Sequence, residues 1–266
     1  MHAGITSKQN PLVKQVVALR ERRERDSSSL FLIEGYRECI RARAAAVGLH
    51  TLLVSPEWFL GSNENALIQE IESSGVKVVF CSKEIFAKIS YRDRPDGLLA
   101  IAHKMDTSLD VLQVTSSSCF LVAEAIEKPG NLGTMLRSAD AAGASGVIVC
   151  DRCTDIYNPN VVRASTGTLF SLPVIETGTE EALLWLKMHG VSVVAATPHA
   201  DVLFTEASLR GPIAIVVGTE QYGLSKAWMD RADIQVRIPM CGIADSLNVA
   251  TATSLLLYEA LRQRGF

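Results

Sequence analysis

Ile213-Ala214-Ile215-Val216-Val217-Gly218-Thr219-Glu220-Gln221-Tyr222-Gly223 passes in one step from five apolar residues to a polar turn closed by glycine. The run is too short for a stable helix and has no polar alternation, so it reads as a strand buried on both faces, as in the middle of a parallel sheet. Residues 120–125, 146–150, 191–196 and 234–238 have the same apolar, β-branched character. Between them, helices are expected over 131–142, 160–166, 179–189 and 246–264, with Gly143 and Gly190 placed to end two of them. That alternation predicts an α/β domain built on a parallel sheet.

Reading outward towards the N-terminus, residues 10–25 predict a helix, with Pro11 in its first turn and an apolar stripe through Leu12, Val13, Val16, Val17 and Leu19. Short strands over 30–33, 51–54, 76–80 and 98–102, with helices over 35–47 and 65–73, form a smaller α/β unit. The polar stretch 106–118 is expected to link the two, giving domains at 1–105 and 119–266. A chain of 266 residues has room for two domains of ordinary size.

Composition narrows the possibilities. With 48% apolar and 21% charged residues the chain can bury a core, which excludes global disorder. No apolar run is long enough to cross a bilayer, and the first 25 residues are too charged for a secretory signal, so a cytoplasmic protein is expected. The six cysteines are scattered and expected to be reduced. Cys150 and Cys153 have metal-site spacing but no second pair nearby, so Cys150 reads as a strand end and no metal is expected. The net charge is −3, yet Lys8, Lys14, Arg20, Arg22, Arg23 and Arg25 against Glu21 and Glu24 give the first 25 residues +4, leaving −7 for the rest. A basic arm suited to phosphates follows, with Lys14, Arg22, Arg23 and Arg25 as its contacts.

In an open parallel sheet, ligands bind beyond the carboxyl ends of the strands. Four stretches fall there: 127–133 with Arg137, 197–199, 218–223, and 239–248. Asn131 lies at a helix start whose unpaired amides suit an anion, and Arg137 could clamp it bidentately or simply be solvated. Glu220 offers a carboxylate to a neighbouring Arg or a ligand hydroxyl, or to water. Asp245 or Ser246 is the expected N-cap of the last helix, which leaves Asn248, a poor helix former, requiring specific hydrogen bonds of its own. The nucleotide fingerprint Gly-x-Gly-x-x-Gly, the Walker loop and the Gly-x-Ser-x-Gly elbow are all absent. Residue chemistry therefore reaches an α/β ligand-binding domain with polar loops, preceded by a small domain carrying a basic helix.

These segments resemble the SpoU/TrmH family of RNA ribose 2′-O-methyltransferases. Asn131-Leu132-Gly133-Thr134-Met135-Leu136-Arg137-Ser138-Ala139 looks like the family's first motif. Val217-Gly218-Thr219-Glu220 with Gly223-Leu224-Ser225 is similar to the second, and Ile238-Pro239-Met240 with Ser246-Leu247-Asn248-Val249 to the third. Asn158-Pro159 and Arg163-Ala164-Ser165-Thr166-Gly167 match a further segment, and residues 1–105 resemble the family's substrate-binding domain, more loosely, through Asn10-Pro11 and Phe31-Leu32-Ile33-Glu34-Gly35. The resemblance spans the whole chain. It implies a methyltransferase domain tied in a deep trefoil knot, against the general rule of unknotted chains. It further implies S-adenosylmethionine held by backbone at Gly218, Ile238 and Leu247, with Thr197, Met240, Ser246 and Asn248 beside it.

By the same resemblance, Arg137 acts at the ribose 2′-hydroxyl, Asn131 and Glu220 hold Arg137 and the nucleotide, and Ser246 and Asn248 complete the pocket, without a metal. A homodimer is implied, with Arg163 reaching the site from the second subunit. The substrate expected is structured RNA, ribosomal RNA ahead of tRNA; a noncatalytic RNA-binding protein on the same fold is the alternative. Thr219, Gln221 and Tyr222 depart from the family's usual turn, and Tyr222 could stack on a base or ribose.

Overall fold

A computed structural model describes residues 4–151, 153–219 and 221–265. In chain order the elements are α1 (Pro11–Ala18), α2 (Arg22–Ser28), β1 (Leu30–Glu34), α3 (Tyr36–Ala44), β2 (Leu49–Val54), α4 (Glu64–Ser73), β3 (Lys77–Phe80), α5 (Lys83–Ile89) and β4 (Leu98–His103). They continue with β5 (Cys119–Glu124), α6 (Pro129–Ala141), β6 (Gly146–Cys150), α7 (Pro159–Ser165), β7 (Val174–Thr177), α8 (Thr179–Met188), β8 (Ser192–Ala196) and β9 (Val202–Leu203). The last are β10 (Ile213–Val217), α9 (Lys226–Arg231), β11 (Ile234–Arg237) and α10 (Val249–Gln263). The chain divides into two compact units, one of Met1–Met105 with Tyr157–Ser171, the other of Asp106–Ile156 with Leu172–Phe266.

The first unit holds a four-stranded sheet in the order β1-β4-β2-β3, antiparallel except for the β2–β3 pair. Val13, Val16 and Leu19 of the first helical segment pack with Ile85, Phe86 and Ile89 of α5 against Leu32, Leu53, Leu99 and Ile101 of the sheet. The helix expected over 10–25 is broken. Asn10 caps α1 by accepting from the Leu12 amide at 2.9 Å, and the chain turns at Leu19–Glu21 before α2. Arg25 explains the break: it is only 1% exposed, and its guanidinium donates to the carbonyls of Leu19 and Arg20 at 2.9 and 2.6 Å. Burial of that cation corrects its expected place among the phosphate contacts; it holds the turn instead.

Arg92 organises the other end of this unit. It donates to the Glu34 carbonyl at 2.7 Å, pairs with Glu38 at 2.8 Å and lies 3.5 Å from Asp96. Gly35, at φ +114°, passes this cluster where any Cβ would strike the Arg92 guanidinium and the Glu38 carboxylate. Burial raises the Glu34 carboxyl above its ordinary range, opposed by hydrogen bonds from Ser90 and the Tyr91 amide and by the charge of Arg92.

Tyr157–Ser171, which sequence reading puts inside the second domain, belongs to this first unit. The Tyr157 ring packs against Phe31 with centroids 4.6 Å apart and planes tilted by 45°, and its hydroxyl accepts from the Met105 amide at 2.8 Å; Arg41 donates to the Thr166 carbonyl at 2.7 Å. The stretch expected as a linker, 106–118, is likewise packed, with Leu109 and Leu112 buried in the core of the second unit.

That second unit is built on a seven-stranded, wholly parallel sheet in the order β7-β6-β5-β10-β8-β11-β9. All five residues of β10 are buried, as their composition requires of a central strand. The order in which strands are added reverses after β7: the chain steps out from β5 to β6 and β7, crosses to β8 and β9, and returns to lay β10 between β5 and β8 and β11 between β8 and β9. Each fully buried Val, Leu, Ile or Phe here contributes about 1.5–3 kcal/mol. Trp228 is fully buried on one face, its indole N–H bonded to Thr179 Oγ1 at 3.0 Å. Sequence reading does not show β7, whose Val-Ile-Glu-Thr is only half apolar, or β9, which has two residues.

Candidate active site

The sheet places the ends of β8, β10 and β11 side by side, with Ala195 opposite Val216 and Ala196 opposite Val236. Thr197, Gly218 and Ile238 therefore leave the sheet at one edge, and the Thr197 amide continues the ladder by donating to the Val236 carbonyl at 3.0 Å. Past Gly218 the chain makes a tight turn: the Thr219 and Gly223 amides each donate to the other's carbonyl at 3.1 Å, and Thr219 Oγ1 accepts from the Tyr222 amide at 2.9 Å. Gly223 sits at φ +69°. Gly218 is fixed by crowding, since a Cβ there would collide with the Gly223 carbonyl and stand 2.8 Å from the Leu224 amide nitrogen.

A buried carboxylate that sequence reading passed over anchors this turn from beneath. Glu124, the last residue of β5 and 4% exposed, accepts from the Ser225 amide at 2.8 Å. Its signal was a charged residue closing an otherwise apolar run. Glu220, expected to hold Arg137, lies outside the described residues.

α6 starts at Pro129 with no side-chain cap, and Gly130 has open space beside it. α10 packs along α6, tied by a 2.7 Å bond between the hydroxyls of Ser138 and Ser254. At the start of both helices Asn248 Nδ2 donates to Asn131 Oδ1 at 3.2 Å. Asn248, rather than Asp245 or Ser246, is the N-cap of α10, its Oδ1 accepting from the Ala250 amide at 3.0 Å. A residue with both an acceptor and a donor is needed for this double duty.

Arg137 is exposed and makes no hydrogen bond or ion pair among the described residues. It shares a helix stripe with Gly130 and Thr134, about 9 Å along the axis from Asn131, and helix geometry tilts its side chain back towards the helix start. Ser246 is exposed in the loop before α10, with Met240 and Leu247 partly covered.

Fit to a backbone-held ligand can be judged from hydrogen bonding. Among the described residues, the main-chain groups of Gly218, Ile238, Met240 and Leu247 make no hydrogen bonds, although Gly218 is buried. Buried main-chain polar groups without partners are rare, and Gly218 is one; Ile238, Met240 and Leu247 are partly covered. The cysteine pair is less suggestive: Cys150 is buried at the end of β6 with its thiol pushed up by burial, while Cys153 is exposed.

The first unit carries the other expected contacts. Lys14, Arg22, Arg23 and Arg163 are exposed, Arg22 lying 3.5 Å from Asp26 and Arg163 donating to Asn160 at 3.3 Å. Asn160 in turn donates to the Tyr91 hydroxyl at 2.9 Å.

A parallel sheet whose strand order reverses, with polar loops gathered at the carboxyl ends of its strands, is the arrangement of a ligand-binding α/β domain. The chain belongs to the SpoU rRNA methylase family, matched over residues 118–258; residues 10–100 match the MRM3-like substrate binding domain. It is 30% identical to a 23S rRNA (uridine(2479)-2′-O)-methyltransferase of Streptomyces viridochromogenes, over 98% of this chain and 92% of that one. It is 29% identical to a 23S rRNA (guanosine(2553)-2′-O)-methyltransferase of Bacillus subtilis, over 96% and 98%. Among solved structures, an RNA 2′-O ribose methyltransferase superposes with a TM-score of 0.85 at 46% identity, covering 98% of this chain and 99% of that one. An AdoMet-bound rRNA methyltransferase from Sinorhizobium meliloti gives 0.90 at 32% identity, covering 97% of both.

Proposed function

We propose that this enzyme transfers a methyl group from S-adenosylmethionine to a ribose 2′-hydroxyl of 23S ribosomal RNA. The observation that carries the reading is the set of main-chain groups at Gly218, Ile238, Met240 and Leu247 that make no hydrogen bond among the described residues, together with the Asn131–Asn248 bond at the starts of α6 and α10. When bound, S-adenosylmethionine supplies an electrophilic sulfonium methyl.

The backbone at Gly218, Ile238 and Leu247 holds this donor, with Thr197, Met240 and Ser246 around it. Asn131 and Asn248, locked together, fix the mouth of the pocket, and Glu220 works with Asn131 to orient Arg137. A guanidinium keeps its protons at neutral pH, so Arg137 binds the phosphate beside the target ribose and favours the ionised hydroxyl. The proton leaves to a phosphate oxygen or water as the oxygen–methyl bond forms and the sulfur–methyl bond breaks. Alignment supplies much of the acceleration in such a displacement.

The late insertion of β10 and β11 between earlier strands supports a threaded, knotted C-terminal region. The protein acts as a cytoplasmic homodimer without a metal, with Lys14, Arg22 and Arg23 on RNA phosphates and Arg163 contributed by the second subunit. Calorimetric titration with S-adenosylmethionine tests the donor site, and a flat titration would reject it. Mixing inactive Arg137→Ala and Arg163→Ala chains tests the dimer: recovered activity supports a shared site, and no recovery places both residues in one subunit.

A further inference from the structure

The two most exposed large apolar side chains among the described residues of the second unit are Tyr222, at 78%, and Ile243, at 109%. Both belong to loops at the carboxyl edge of the sheet, Tyr222 after β10 and Ile243 after β11. Single exposed apolar residues are ordinary on a protein surface, but these two stand in the loops that follow β10 and β11 at the candidate site, and folding does not explain their exposure there.

The turn that carries Tyr222 needs the Thr219 hydroxyl and a glycine at 223; it places no demand on the side chain at 222. The Tyr222 ring makes no hydrogen bond or ring contact among the described residues. Its backbone is nevertheless held by the Thr219 hydroxyl, so the ring stands on an ordered base.

Charge identifies the part of an RNA that these loops can recognise. Neither 219–224 nor 238–248 contains a Lys or Arg. The loops have no cation to offer a phosphate; their exposed side chains include the Tyr222 ring, the Ile243 side chain, the Gln221 amide, the Ser246 hydroxyl and the Asp245 carboxylate, a set that suits a base and repels a phosphate. β8 separates β10 from β11, so the loops rise on the order of 10 Å apart, which admits one planar ring between them.

We propose that Tyr222 is a stacking shelf for the base of the nucleotide being modified, with Ile243 closing over the opposite face. The shelf takes a base that has left its helical stack, which restricts the substrate to a loop, a bulge or an extruded nucleotide. This rests on the methyl-transfer reading above and adds to it a specificity element.

Tyr222→Ala and Tyr222→Phe test the shelf in the full-length protein. With 23S rRNA from cells lacking the enzyme, Tyr222→Ala raises KM for RNA about 5- to 150-fold, the factor that about 1–3 kcal/mol of base stacking gives. S-adenosylmethionine affinity and melting temperature stay unchanged, and Tyr222→Phe stays within about twofold of wild type because the ring, not the hydroxyl, carries the contact. Unchanged KM in Tyr222→Ala, or equal damage in Tyr222→Phe, overturns the shelf. Binding of a fluorescein-labelled octa-adenylate and its abasic counterpart reads the shelf without catalysis. Tyr222→Ala weakens binding of the first and leaves the second alone; equal effects on both, or none, overturn the proposal. Absence of methyl transfer by the wild type would instead reject the underlying reaction.

Discussion

Asn248 donates its side-chain amide to Asn131 Oδ1 at 3.2 Å, joining residues 117 positions apart in the chain, while its own oxygen caps α10. The contact ties the start of the last helix to the start of α6, and the packed Ser138–Ser254 hydroxyls continue the same seam. The junction between the starts of α6 and α10 and the capping of α10 thus depend on one side chain.

Replacing Asn248 with Ala removes both roles. Loss of the cap and of the bridging bond costs about 1–2 kcal/mol, measured by urea denaturation, and methyl transfer falls more than the stability loss explains. Asn248→Ser keeps a capping oxygen but no amide, so it recovers most of the stability and little of the activity. Full activity in Asn248→Ala would remove this residue from the site.

Arg137→Lys keeps the charge and loses the planar fork. Activity is expected to fall by at least about tenfold while S-adenosylmethionine binds as before, because bidentate contacts to phosphate need the guanidinium geometry. Calorimetry beside a methyl-transfer assay separates the two; a fully active Lys variant contradicts the role.

Gly218→Ala forces a Cβ into the Gly223 carbonyl, and only movement of the turn relieves it. The expected result is lost donor binding together with a lower melting temperature. Gly130→Ala is the contrast: space is open there, and alanine in a helix gains up to about 1 kcal/mol over glycine. Equal tolerance at both positions would show that the Gly218 turn is not under steric constraint.

Glu34 sets a pH dependence in the first unit. Burial raises its carboxyl above the ordinary value of 4.5, so the folded chain takes up this proton at higher pH than the unfolded chain does. Its contribution to stability therefore grows as pH falls through the raised value towards 4.5, and is lost as pH rises. Wild type should gain melting temperature relative to Glu34→Gln as pH is lowered from neutral towards 4.5. A difference that does not move, or moves the other way, contradicts the burial effect.

The strands around β10 were legible in sequence because unbroken apolar runs have few other solutions, and their loops then had to lie at one edge of the sheet. That the main chain at Gly218 and Ile238 makes no hydrogen bond among the described residues could not be read from residue types, since no side-chain pattern encodes a free amide. Arg25 shows the opposite failure: its charge suggested a surface, but the carbonyls of Leu19 and Arg20, left free by the broken helix, gave it a buried partner set. The membership of Tyr157–Ser171 in the first unit was hidden as well, because Tyr157 on Phe31 and Arg41 on Thr166 are contacts between distant segments that local periodicity does not register.

Incubation with methyl-labelled S-adenosylmethionine and 23S rRNA, followed by alkaline hydrolysis, asks most directly whether a ribose oxygen receives the methyl group. A 2′-O-methyl group blocks attack on the neighbouring phosphate, so the label should appear in a single alkali-resistant dinucleotide and vanish with Arg137→Ala. Label released in mononucleotides would mean methylation of a base, and would contradict transfer to the sugar.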